Sequence, residues 1–146
     1  MEVEIKIDEA YKTPKLVIFT NEVTQEISDL INKLSNNTHK TLVGFKDDEV
    51  FILKNEDIIS FYAEDQKVLA RCTQGIFRIK SRLYELEETF SGTSFVRISN
   101  SEIVNFDKVA SLDLSISGAI SLKLKNGDKT FVSRRYVEKI KNYIGL

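Results

Sequence analysis

Two polar segments in the C-terminal half hold side chains that could recognise something by hydrogen bonding and charge. The first is Ser99-Asn100-Ser101, set between the strand-like stretches Phe95–Ile98 and Ile103–Asn105. An asparagine amide can pair with an adenine edge, and a serine hydroxyl can bond a phosphate oxygen. Such a triplet also reads as an ordinary Asx or Ser turn. The second segment runs from Lys125-Asn126-Gly127 through a short strand to Ser133-Arg134-Arg135-Tyr136. It delivers two arginines to the expected N-terminus of a last helix, where positive charge opposes the helix dipole. A phosphate or a guanine edge would relieve that conflict. The structural alternative is a solvated pair tolerated at mild cost.

The parts for catalysis are missing. His39 is the one histidine and falls in a polar linker, which reads as a solvated side chain rather than a general base. Cys72 sits in an apolar strand with no histidine near it in sequence, so a small buried thiol is expected rather than a nucleophile. No ligand spacing for a metal and no glycine loop for a phosphate-bearing cofactor occurs. Asp47-Asp48-Glu49 reads as solvated hairpin surface. The chain is therefore expected to be no enzyme, with no catalytic residue, metal or cofactor.

The elements that must carry the two segments follow from patterning. Glu2–Ile7 alternates polar and apolar residues, and Lys15–Phe19 follows the only proline, Pro14; both predict strands. Ile27, Leu30, Ile31 and Leu34 recur at helical spacing behind a cap at Thr24 or Asn21. The polar cluster Ser35-Asn36-Asn37-Thr38 marks a boundary. From there short strands and tight turns are predicted at Leu42–Phe45, Val50–Leu53, Asp57–Tyr62, Val68–Cys72, Gly75–Ile79, Phe95–Ile98, Ile103–Asn105, Ser111–Leu114, Ala119–Leu124 and Thr130–Val132. Ser81 caps a predicted helix over Ser81–Phe90, and Ser133 caps one over Arg134–Ile144 that buries Val137, Ile140 and Ile144. This is a mainly β (α+β) pattern in two parts: a β-β-α unit over residues 1–38 and a β domain over 39–146.

Charge is divided between the halves of the chain. Residues 1–65 hold 14 Asp/Glu and 7 Lys/Arg, a net of -7, whereas residues 66–146 hold 8 and 14, a net of +6; the whole chain of 146 residues carries -1. Asymmetry of this kind suggests a polyanion-binding half. One cysteine permits no intramolecular disulfide, MEVEIKID has no signal-peptide core, and no apolar run approaches the roughly 18 residues a membrane span needs. A cytoplasmic protein without membrane insertion is expected.

The run F-V-R-I-S-N-S-E-I-V-N-F-D-K-V, followed by L-K-L-K-N-G-D-K-T-F-V-S-R-R-Y-V-E-K-I-K, resembles the LytTR family of bacterial transcription regulators over about residues 41–146. The resemblance implies an elongated mainly β fold whose loops enter successive major grooves of double-stranded DNA. It also implies binding as a homodimer on repeated half-sites. By position it makes Asn100 and Arg135 base-contacting residues, with Ser133, Arg134 and Lys139 on phosphates and Ser99 and Ser101 flanking. Gln66 and Lys67, in the turn Asp65-Gln66-Lys67, fall at a third contact, although this turn departs from the family pattern. Ser99 stands where the family most often has histidine. About 38 residues precede the match, too few for a receiver domain, so phosphotransfer in cis is not expected. The acidic N-terminal unit is read as an assembly element or the seat of a regulatory protein partner. A protein-interaction module of the same fold and a single-stranded RNA binder are the competing readings.

Overall fold

The computed structural model describes residues 1–35 and 41–146. Asn36-Asn37-Thr38 of the polar cluster and His39 lie outside the described residues. The chain divides into two units, Met1–Thr38 and His39–Leu146.

In the first unit α1 spans Gln25–Ser35. Thr24 caps it: its hydroxyl oxygen accepts from the Ile27 N–H at 3.3 Å, and its carbonyl accepts from Ser28. The two expected N-terminal strands do not form; residues 2–7 and 15–19 carry no regular structure. Alternation decides which side chains would share a face, but it supplies no neighbour for the backbone, and a strand without a partner is not stable. Ile7 and Phe19 accordingly stay 97% and 92% exposed.

The second unit is mainly β. A seven-stranded antiparallel sheet has the order β2-β1-β5-β4-β3-β7-β6, built from β1 (Leu42–Lys46), β2 (Glu49–Leu53), β3 (Ile58–Glu64), β4 (Lys67–Cys72), β5 (Gly75–Ile79), β6 (Phe95–Ser99) and β7 (Glu102–Asn105). A three-stranded sheet follows in the order β10-β9-β8, from β8 (Val109–Asp113), β9 (Ile120–Leu124) and β10 (Lys129–Val132). Helix α2 covers Leu83–Thr89 and α3 covers Val137–Ile144.

Two cores explain the patterning. One face of the large sheet packs Phe61, Ala70, Phe77, Phe95 and Ile103 against Leu83, Leu86 and Phe90 at α2. Its rings meet closely, with Phe90 and Phe95 centroids 4.5 Å apart. The other face of β3, β7 and β6 packs Ile59, Val104, Val96 and Ile98 against Ile120, Leu122 and Leu124 of the small sheet and Val137 and Ile140 of α3. Strands buried on both faces read as continuous apolar runs, which is why Ile58-Ile59 and Ile103-Val104 do not alternate. Gly44 lies where a Cβ would come within 2.7 Å of the Phe77 Cβ, so only glycine lets β1 approach β5.

Both serine caps are corrected. The α2 N-cap is Arg82, and the Glu85 carboxylate reaches back to accept from the Arg82 N–H at 3.0 Å. Ser133 makes no side-chain cap bond; it precedes a 3-10 turn over Arg134–Tyr136, and α3 begins only at Val137. The Ser133 N–H is instead donated to the Ile98 carbonyl at 2.9 Å, which holds the turn against β6 and sets where the helix starts.

Candidate nucleic-acid interface

Strand register decides which loops share an end of the large sheet. Tyr62 of β3 is paired with Leu69 of β4 on one side and Glu102 of β7 on the other. The β3–β4 turn and the β6–β7 loop therefore project from the same end. The Ala63 N–H, donated to the Ser101 carbonyl at 2.8 Å, ties that loop to β3. Phe45 pairs with Arg78, and Arg78 with Leu69, which sends the acidic β1–β2 turn to the opposite end. The Ser133–Ile98 bond brings the arginine turn to the end of β6.

Asn100, at the tip of the β6–β7 loop, is exposed, while Arg97 beneath it is only 14% exposed at its side chain. The Arg97 guanidinium donates to the Ser99 carbonyl at 2.7 Å and to the Asn100 carbonyl at 2.5 Å. Glu87 of α2 holds the same group at 3.2 Å. Three acceptors thus fix one planar fork, a geometry lysine cannot reproduce. The Ser99 hydroxyl oxygen accepts from the Ser101 N–H at 3.2 Å and lies 3.3 Å from the Ser101 hydroxyl. The loop is therefore a serine turn as well as a presented surface. The Tyr136 hydroxyl donates to the Asn100 Oδ1 at 3.3 Å, joining the loop to the arginine turn.

Arg134 and Arg135 are exposed, and among the described residues no carboxylate lies within 4.0 Å of either, Glu138 included. Their charge is free, but they precede α3 instead of occupying its first turn, so the conflict with the helix dipole is weaker than expected. Lys139 is exposed on α3, its ammonium 5.8 Å from the centre of the Tyr136 ring. Gln66 and Lys67 are exposed at the β3–β4 turn. Asp65 and Gln66 both take left-handed backbone angles (φ +49° and +62°), a two-residue hairpin turn of the primed type. Glutamine is strained there, since the left-handed region suits glycine, asparagine or aspartate.

Pattern reading overlooked four residues at this end. Arg97 and Tyr136 stand in the quoted motifs, yet their bonds cross the chain and have no signature in spacing. Arg71 and Lys129 line a shallow polar groove beside Ser101, with Tyr62, Glu102 and Thr130. Arg71 lies 4.7 Å from the centre of the Tyr62 ring, and the Thr130 hydroxyl donates to the Glu102 Oε2 at 2.6 Å. The alternation of β4 already turns Arg71 away from the core, but only the pairing of the two sheets reveals the groove. Away from this end, burial and, secondarily, the Asp57 charge push the Cys72 thiol up to about 11, which keeps it protonated and unreactive at neutral pH.

A β scaffold that gathers hydrogen-bonding loops and an unpaired arginine turn at one end is a loop-bearing DNA-binding domain in class. Residues 48–145 match the LytTr DNA-binding domain, and the chain belongs to that family. Uncharacterized HTH-type transcriptional regulators of Staphylococcus aureus strains NCTC 8325 and COL are each 37% identical over 126 residues, covering 86% of this chain and 84% of their own length. A solved LytTr DNA-binding domain from Bacillus cereus superposes with a TM-score of 0.70 at 21% identity, over 73% of this chain and 99% of that one. This family membership makes the protein a DNA-binding transcriptional regulator. The relatives' helix-turn-helix label does not describe this chain: among the described residues five strands separate each helix from the next.

Proposed function

We propose that the chain binds double-stranded DNA sequence-specifically, placing its loops in successive major grooves as a pair of protomers on repeated half-sites. The observation that carries this reading is the free, exposed Arg134-Arg135 turn bonded through Tyr136 to the exposed Asn100 loop. Arg135 and Asn100 read bases. Arg134, Lys139, Ser133, Ser99 and Ser101 position the backbone, with Gln66 and Lys67 contacting the duplex from the β3–β4 turn. The protein acts in the cytoplasm without chemistry of its own, and residues 1–38 serve assembly or a regulatory protein partner. Duplex binding measured over a salt series tests this. Each neutralised phosphate contributes a slope of about -0.9 in log K against log salt. A slope near zero overturns the reading in favour of a protein-interaction module. Single-stranded RNA is the weaker alternative. Stacking bases on a sheet needs several exposed aromatics on one face, whereas among the described strands Phe131, at 69%, is the one prominently exposed ring.

A further inference from the structure

We propose that Tyr136 is a positioning residue that turns Asn100 into a donor-only reader, so that this loop selects guanine over adenine. The inference rests on Asn100 contacting a base. Its ground is the bond from the Tyr136 hydroxyl to the Asn100 Oδ1, at 3.3 Å, between residues 36 apart in sequence. An asparagine that recognises adenine in the major groove uses both ends of its amide: Oδ1 accepts from the adenine N6 amino group while Nδ2 donates to N7. Here the Tyr136 hydroxyl holds Oδ1 towards the arginine turn, and among the described residues nothing accepts from Nδ2, so the amide meets a base with its two N–H groups. Guanine offers N7 and O6, two acceptors and no donor, on the same edge. A donor-only amide is complementary to that edge and leaves the adenine amino group unmatched.

The surroundings make the orientation firm. Arg97 clamps the carbonyls of Ser99 and Asn100, which fixes the backbone that carries the amide, while the Tyr136 bond sets the orientation of the amide itself. Tyr136 is half-buried in the 3-10 turn, packed on the core that holds Ile98 and Val137. The turn is itself bonded to β6 through Ser133, so the hydroxyl that orients the loop belongs to the element carrying Arg135. The Lys139 ammonium, 5.8 Å from the centre of the Tyr136 ring, adds a cation beside it.

The test uses the full chain and a panel of duplexes in which the base pair facing Asn100 is each of the four in turn, mapped as the position whose preference Asn100→Ala abolishes. Wild type is expected to prefer guanine over adenine there. Tyr136→Phe, which removes one oxygen, is expected to shrink that preference by about three- to tenfold, or to invert it, as the freed Oδ1 becomes available to the adenine amino group. Its melting temperature and salt slope should match wild type, and adding Tyr136→Phe to Asn100→Ala should cost no further discrimination. A Tyr136→Phe protein that prefers guanine as strongly as wild type overturns the inference, while the wild type's own selectivity leaves the DNA-binding reading standing. So does one whose affinity falls equally on all four duplexes with a lowered melting temperature, since that is a structural role. A wild type with no preference at any position overturns the DNA reading and this inference with it.

Discussion

At the scale of single residues, free charge and strained backbone carry different predictions. Among the described residues Arg135 has no ion-pair partner, so removing its guanidinium leaves no buried carboxylate behind. Arg135→Ala should therefore melt as wild type does, while losing about 1–3 kcal/mol on the preferred site and relaxing choice at one or two base pairs. Lys139→Ala should instead weaken every duplex about equally and reduce the salt slope by about 1. Melting curves and site preferences on the same two proteins separate the roles; a destabilised Arg135→Ala that still discriminates as wild type does removes the base-contact assignment. Gln66 is the opposite case. Its left-handed backbone costs about 1 kcal/mol that glycine would not incur. Gln66→Gly should raise stability by about that amount and lower DNA affinity, as expected where a strained residue is kept for its side chain. If the variant is both more stable and fully active in duplex binding, Gln66 does not touch DNA.

At the scale of elements, what could be read in advance depended on whether the determining partner was local. The strand Gly75–Ile79 was legible as a short, largely apolar run that opens on a glycine just after a turn. The helix at Leu83–Thr89 was legible from Leu83, Leu86 and Phe90, though its start was not, because Glu85 supplies the cap from within the helix. The N-terminal strands failed for the converse reason: E-V-E-I-K-I alternates well but finds no neighbour in the described chain. The polar loops at one end of the sheet could be chosen from sequence as candidates. Their joining by Arg97 and Tyr136 could not, since those bonds depend on the register of β6, β7 and the arginine turn. The Arg97 fork is testable as an element. Arg97→Lys keeps the charge but cannot hold two carbonyls and Glu87 together. It should cost about 1–3 kcal/mol of stability, read from the denaturant midpoint. It should also weaken specific binding more than non-specific binding. Wild-type discrimination in this variant would show that the Ser99–Ser101 turn suffices to hold the loop.

At the scale of the whole molecule, the net charge of -1 conceals a basic half of +6, and that half contains every proposed contact. The acidic first unit lies outside residues 48–145, the part that matches the LytTr DNA-binding domain. Deleting residues 1–38 should leave the preferred half-site unchanged and weaken binding to a probe carrying two half-sites, provided the shortened protein retains a cooperative melt. A changed half-site sequence would assign the first unit a part in base recognition.

Selection of bound fragments from random duplex DNA by the full chain tests the central claim most directly. The account predicts enrichment of one short motif repeated at a fixed spacing near one helical turn or a multiple of it. That enrichment should be lost in the Asn100→Ala, Arg135→Ala double variant. Recovery of fragments with no shared motif, or of the same motif by the double variant, would contradict it.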